Sequence, residues 1–140
     1  MAADLLGARK FLQNTFLLFF VHGLILILKP GMFSALYSKE GSSLRNPMLD
    51  HLLMQTGFGM LGFSGLFLVL ANSAYNKVPV LQTTAVVCFT PGATLAYGVM
   101  FTPYWNFLTW VVALMYLFFG AWGLQISQTV MDDMVMHTQR

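Results

Sequence analysis

Among the Asp, Glu, Lys, Arg and His residues of this chain, only His22 lies inside a long apolar stretch, the run 11–28. An imidazole in that setting can be an axial ligand to haem or chlorophyll, or can donate a hydrogen bond to a quinone. A buried histidine can equally stay neutral and bond to a neighbouring helix, or to a hydroxyl such as that of Thr15 or Thr56. We therefore take His22 as the candidate cofactor-binding residue and keep the structural role beside it.

A haem held by two histidines would need a second histidine at the depth of His22. His51 lies near the start of the second apolar stretch, close to the membrane surface. His22 lies seven residues from Lys29 at the end of the first stretch, which is about 10 Å at the rise of a helix. Ligation of one haem by His22 and His51 is therefore not expected.

The second and third apolar stretches carry residues that could form a pocket. Gly59 and Gly62 lie beside Phe63, and Pro91 interrupts the third stretch near its midpoint. Glycines let membrane helices pack closely, and a proline removes one helical hydrogen bond, so both are also common in static bundles. If they do form a groove, Gly59, Gly62, Phe63 and Pro91 are the residues that we predict to line a pocket for a lipid tail or a quinone.

Charged side chains are missing from the middles of the apolar stretches. The acidic residues all lie in loops, in tails or in a first helical turn: Asp4, Glu40, Asp50, Asp132 and Asp133. Proton pumps and ion-coupled transporters place such groups within the bilayer, so that class is not expected. No nucleophile–base pair and no cluster of metal ligands can be assembled, so we expect neither an enzyme nor a metal site. A net charge of +2 offers no basic surface to a nucleic acid.

The composition of the chain indicates a membrane location for these residues. Of 140 residues, 57% are hydrophobic and 9% are charged, whereas a soluble domain carries roughly 25% charged residues. About 20 apolar residues cross a bilayer as a helix. Four such runs occur, and their near-continuous apolar character favours helices over the alternating strands of a barrel. The predicted spans are about 11–28, 48–71, 80–101 and 104–126.

The predicted fold is all-α, an integral membrane four-helix bundle that forms a single transmembrane domain over 1–140. A short interfacial helix is expected in the first loop, at 31–38, and a C-terminal tail at 127–140. The third and fourth spans are joined by so few residues that they must form a tight antiparallel pair. Four crossings place both termini on the same side, and the even division of basic residues leaves the orientation open.

The order of these features resembles the DoxX-like group of small four-helix membrane proteins. The resemblance lies in a first span that ends in Lys29 and Pro30, a Phe/Leu/Tyr interfacial stretch, Pro47 at the start of a glycine-rich second span, and a close hairpin of the third and fourth spans. It covers most of the chain. Members of that group include subunits of quinone-linked oxidoreductases, so the resemblance implies an energy-converting membrane. It assigns no catalytic residue here.

The expected function is that of a non-catalytic accessory subunit in a large respiratory or photosynthetic membrane complex. Its partners would be other membrane-protein subunits and lipids. A chain that starts at Met1 without a removed targeting segment favours the mitochondrial inner membrane over the thylakoid or the bacterial inner membrane. The alternative is a small binding or transport protein that holds a lipid or quinone between its helices. Bound lipid is the expected ligand in either case, while quinone, haem or chlorophyll would need His22.

Overall fold

The computed structural model describes residues 2–37, 47–72 and 77–138. In these ranges the chain forms helices and no β-strand, as the composition predicts. The helices are α1 (Ala2–Leu28), α2 (Pro30–Tyr37), α3 (Pro47–Asn72), α4 (Lys77–Phe101) and α5 (Phe107–Thr138). Four of them are long and apolar enough to cross a membrane, over Leu6–Leu28, Pro47–Asn72, Lys77–Phe101 and Phe107–Asp132. The protein is therefore an all-α, multi-pass integral membrane protein.

The helices run further at both ends of the chain than the sequence analysis expected. Helix α1 begins at Ala2, and α5 continues through the predicted tail to Thr138, because the stretch 127–138 holds no glycine or proline that would end it. Helix α5 begins at Phe107 rather than 104, since Pro103 and its neighbours form a turn. The predicted interfacial segment is helical up to Tyr37, and its last residue lies outside the described ranges.

Helices α1 and α3 pack against each other as an antiparallel pair, with a glycine from each at the crossing. A Cβ atom added to Gly57 would lie 2.8 Å from the carbonyl oxygen of Gly23, and one added to Gly23 would lie 2.9 Å from that of Gly57. Only a hydrogen atom fits on either side. The two backbones therefore approach as closely as membrane helices with small residues can.

Helices α4 and α5 form the second antiparallel pair, as their short connection predicts. Here the glycines accommodate large side chains from the opposite helix. A Cβ atom at Gly92 would lie 3.0 Å from the Leu117 side chain, and one at Gly120 would lie 2.8 Å from the Phe89 ring. Aromatic and aliphatic groups thus interdigitate with small residues along this pair.

The two pairs meet mainly along α1 and α5. The ring of Phe11 is fully buried there, and it contacts Trp122 edge to face at 5.3 Å between centroids. A Cβ atom at Gly123 would lie 2.6 Å from the tip of that ring, so the glycine is what makes room for it. Ala8 and Val130 belong to the same buried cluster, which brings the first turns of α1 close to the last turns of α5.

The short helix α2 is tied to the start of α5 by hydrogen bonds. The backbone N–H of Asn106 and the hydroxyl of Thr109 both donate to the carbonyl oxygen of Tyr37, at 2.9 and 2.8 Å. The side-chain amide of Asn106 donates to the carbonyl oxygen of Leu36. These bonds satisfy the final carbonyl groups of α2, which have no partner inside their own helix.

Candidate functional site

His22 forms a hydrogen bond to Tyr116, and both side chains are buried. Nδ1 of His22 and the hydroxyl oxygen of Tyr116 lie 2.7 Å apart, so the bond joins α1 to α5. In one tautomer the hydroxyl donates to Nδ1, and in the other Nδ1–H donates to the hydroxyl oxygen. The hydroxyls named beforehand as partners for His22 bond elsewhere: Thr15 donates to the carbonyl of Phe11, and Thr56 to that of Leu52.

A cavity of about 510 Å³ lies beside this pair. Helices α1 and α5 contribute its inner wall, and α3 and α4 contribute its two sides. Several side residues are exposed at the surface of the bundle, among them Phe63, Thr90 and Thr94, so the cavity opens sideways as a cleft. The lining includes Phe19, His22 and Leu26 from α1, Thr56, Gly59 and Phe63 from α3, Thr90, Pro91 and Thr94 from α4, and Tyr116 from α5.

The cleft brings together most of the residues that the sequence analysis assigned to a pocket. His22, Gly59, Phe63 and Pro91 all line it, although they come from three different helices. Gly62 does not line it. Successive residues of a helix are about 100° apart, so Gly62 lies about 100° around α3 from its neighbour Phe63, which lines the cleft. Gly62 is exposed, and a Cβ atom added there would meet nothing within 4 Å.

Tyr116, Thr90 and Thr94 were not among the predicted pocket residues. The signal for Tyr116 was its polar hydroxyl within the apolar run of the fourth span. The sequence pattern alone does not show that this hydroxyl points toward His22, because which sides of two helices contact each other depends on how the helices pack. The two threonines precede and follow Pro91, and they donate to the carbonyl oxygens of Val86 and Thr90 on their own helix.

No Asp, Glu, Lys or Arg side chain lines the cleft. Its polar side chains are hydroxyls and the buried imidazole of His22. Its walls are mainly aliphatic and aromatic, with hydroxyls from Thr56, Thr90 and Thr94 on the two sides. Pro91 has no N–H to donate to the carbonyl of Val87, which also lines the cleft. The arrangement can hold an apolar molecule and offer it hydrogen bonds at a few fixed points.

No group of three His, Cys, Asp or Glu side chains in the described ranges could hold a metal ion. His51 bonds on its own helix, with 3.0 Å between its Nε2 and the side-chain nitrogen of Gln55. No family model, curated protein or solved structure matches the chain. The cleft and the chemistry of its residues are therefore the features of the molecule that bear on its function.

Proposed function

We propose that this protein binds a neutral lipid or a quinone, taken from the bilayer, in the cleft between α3 and α4. The observation that carries the proposal is the cleft itself, an apolar cavity of about 510 Å³ with the His22–Tyr116 pair in its wall. Ligand sites commonly have volumes of about 300–1,000 Å³, apolar walls and a few placed polar groups. A bundle that served only to pack helices would fill such a volume with side chains.

The neutrality of the ligand follows from the lining. A carboxylate or phosphate that entered this cleft would lose its water without meeting a Lys or Arg side chain, which is strongly unfavourable. A carbonyl or hydroxyl group has a much smaller desolvation penalty, and His22, Tyr116 or a threonine hydroxyl could hydrogen-bond to it. A quinone or another lipid with a small polar group matches both conditions.

Two glycines of α3 provide a matched test. Gly59→Leu would place a side chain in the cleft, whereas Gly62→Leu would place one on the outer face of α3. The fold should accept both, since a Cβ atom meets no atom within 4 Å at either position. We expect Gly59→Leu to lower the amount of lipid or quinone that copurifies by about tenfold, the factor that corresponds to about 1.4 kcal/mol of binding.

The measurement is mass spectrometry of the organic extract from purified protein, with the wild-type chain as reference. Gly62→Leu should retain the wild-type amount of ligand. Equal ligand content in the two variants, with both chains folded, would show that the cleft is not the binding site.

A second function, that of an accessory subunit in a larger membrane complex, is favoured by the outer surfaces of α3 and α5. Added Cβ atoms at Gly62 and Gly65 would meet nothing within 4 Å, so α3 presents small residues to which another helix could pack. Helix α5 exposes Met131, Met134 and Val135 near its end. The DoxX-like resemblance implies an energy-converting membrane, which favours a respiratory or photosynthetic complex; the mitochondrial inner membrane remains the predicted location.

Membranes solubilised in mild detergent and separated by size would test this second function. A subunit migrates with a large assembly, and Gly62→Leu should release it while Gly59→Leu should not. A wild-type chain that migrates alone would rule out the subunit function and leave ligand binding in the cleft unaffected. In this topology both termini would lie on the same side of the membrane, which is consistent with the packing of Ala8 near Val130.

A further inference from the structure

A second cavity, of about 400 Å³, lies between α1 and α5 and is separate from the proposed ligand cleft except for a shared wall at His22. Asn14, Leu18 and Ile25 contribute to it from α1, and Val112 and Phe119 from α5. Tyr37 of α2 also lines it. We refer to this cavity as the α1–α5 groove.

The α1–α5 groove follows a single stripe of α1. Asn14, Leu18 and Ile25 are separated by four and seven residues, the spacing that keeps side chains on one face of a helix. From Asn14 to Ile25 the helix rises about 16 Å. The hydrocarbon thickness of one leaflet is about 15 Å, half of a core of roughly 30 Å. The groove thus has the length of one acyl chain that reaches from the membrane surface to the midplane.

A positive charge lies at the surface end of the same stripe. Lys29 follows Ile25 by four residues, and its backbone N–H donates to the carbonyl oxygen of Ile25 at 3.0 Å, so it continues the same face of α1. Lys29 is exposed, and it lies just beyond the membrane-spanning segment Leu6–Leu28. Tyr37 also lines the groove, and burial raises the pKa of its hydroxyl, which therefore remains protonated.

We propose that the α1–α5 groove binds one anionic phospholipid, with an acyl chain along the stripe from Ile25 to Asn14 and the phosphate at Lys29. The length of the groove matches the chain, and the charge of Lys29 matches the headgroup. This ligand differs in kind from the neutral one proposed for the cleft. The cleft has no cation in its lining, whereas Lys29 lies four residues beyond Ile25, a lining residue of the groove.

The headgroup part of the proposal is tested by Lys29→Gln, with Lys10→Gln as the matched control. Both lysines are exposed residues of the α1 region; Lys10 lies near the first residue of the membrane-spanning segment Leu6–Leu28, and Lys29 lies just beyond its last residue. The purified protein would be titrated with phosphatidylglycerol and with phosphatidylcholine of identical chains, and bound lipid counted by native mass spectrometry. We expect Lys29→Gln to lower the preference for phosphatidylglycerol about fivefold and Lys10→Gln to leave it unchanged. Equal losses in both variants would indicate a general charge effect and overturn the site.

The acyl-chain part is tested by Val21→Trp, with Val69→Trp as its control. Both valines are exposed, at 48% and 67%, but only Val21 lines the groove. Val21→Trp should remove the tightly held phosphatidylglycerol, and Val69→Trp should retain it. If both variants bind the same amount of phosphatidylglycerol, the groove has no specific lipid site and is only in contact with bulk bilayer lipid.

Failure of this proposal is distinguishable from failure of the proposed function. Gly59→Leu fills the cleft and should leave phosphatidylglycerol binding unchanged, while Lys29→Gln should leave the neutral ligand in place. Lys29→Gln changes an exposed side chain beyond the span, so its result can be interpreted even if Val21→Trp disturbs packing.

Discussion

The hydrogen bond between His22 and Tyr116 lies within the membrane-spanning part of the bundle, where lipid offers neither group a replacement partner. Both side chains are buried, and their rings also stack at 5.7 Å between centroids. The bond joins two helices that belong to different pairs, and it forms part of the cleft wall. It therefore contributes both to the association of the pairs and to the polarity of the cleft.

Tyr116→Phe should lower the free energy of unfolding by about 1 kcal/mol, the usual size of an interhelical hydrogen bond in a membrane protein. The ring and its packing remain, while His22 loses its bond to the hydroxyl. Thermal melting in a fixed detergent measures the change. Tyr97→Phe is the control, since Tyr97 is 63% exposed and its ring contacts Phe101. Equal stability of the two variants would mean that the His22 bond adds nothing to the fold.

The glycines of α3 should respond in opposite directions to the same substitution. Gly57→Ala forces a methyl group against the carbonyl of Gly23, so we expect a loss of about 1–3 kcal/mol from overpacking. Gly62→Ala meets no atom and replaces glycine by a better helix former, so stability should stay equal or rise by up to about 1 kcal/mol. The same melting measurement gives both values. A loss of stability in Gly62→Ala would contradict the outward placement of that residue.

At the scale of single residues, the sequence showed which residue types could form a site, but not toward which neighbouring helix each side chain points. His22 and Pro91 were recognisable because an imidazole is rare inside an apolar span and a proline interrupts the hydrogen bonding of a helix. Gly59 lines the cleft and Gly62 does not. This difference depends on how α3 is rotated about its axis relative to α4, which a run of glycines does not determine. Gly23 was missed for the same reason, since a lone glycine shows its role only once the facing helix is known.

Among the elements, α2 depends most on a few hydrogen bonds. It has eight residues, which is too short to be stable alone. Asn106 tethers it to α5, and the same side chain also caps α5, with its Oδ1 accepting from the N–H of Leu108 at 2.9 Å. One residue thus starts a long helix and holds a short one in place.

Two substitutions at Asn106 separate these roles. Asn106→Asp keeps an oxygen that can cap α5 but loses the amide donor to Leu36, whereas Asn106→Ala loses both interactions. We expect Asn106→Ala to lower stability by about 1–2 kcal/mol and Asn106→Asp by less. Hydrogen exchange of the α2 amides should increase in both variants. Unchanged exchange in α2 would show that the side-chain bond does not hold it.

The existence and order of the helices could be predicted from the sequence, because apolar runs of about 20 residues in lipid have few alternatives. The pairing of α4 with α5 followed from their short connection. The extension of α5 to Thr138 was missed because the stretch 127–140, which contains Asp132 and Asp133, was interpreted as a tail. Charge ends a membrane span, but it does not end a helix.

At the scale of the molecule, the bundle consists of two antiparallel helix pairs with extensive packing inside each pair and a narrower interface between them. The cleft lies where that interface is incomplete, between α3 and α4. The pairs are held together where α1 contacts α5, by the packing of Phe11 against Gly123 and by the His22–Tyr116 hydrogen bond. This construction explains how a small bundle can contain an open cavity and still be held together.

The two pairs should therefore fold and associate as separate chains. If the protein is divided between Asn72 and Lys77, each fragment holds one pair, and we expect the fragments to copurify when both are made in the same membrane. Gly123→Leu should prevent this, since a Cβ atom there already lies 2.6 Å from the fully buried ring of Phe11, whereas Gly62→Leu should not. The measurement is affinity purification through a tag on one fragment. If both fragments insert but are never recovered together, the α1–α5 interface is too weak to join the pairs, and the connector between α3 and α4 must hold them.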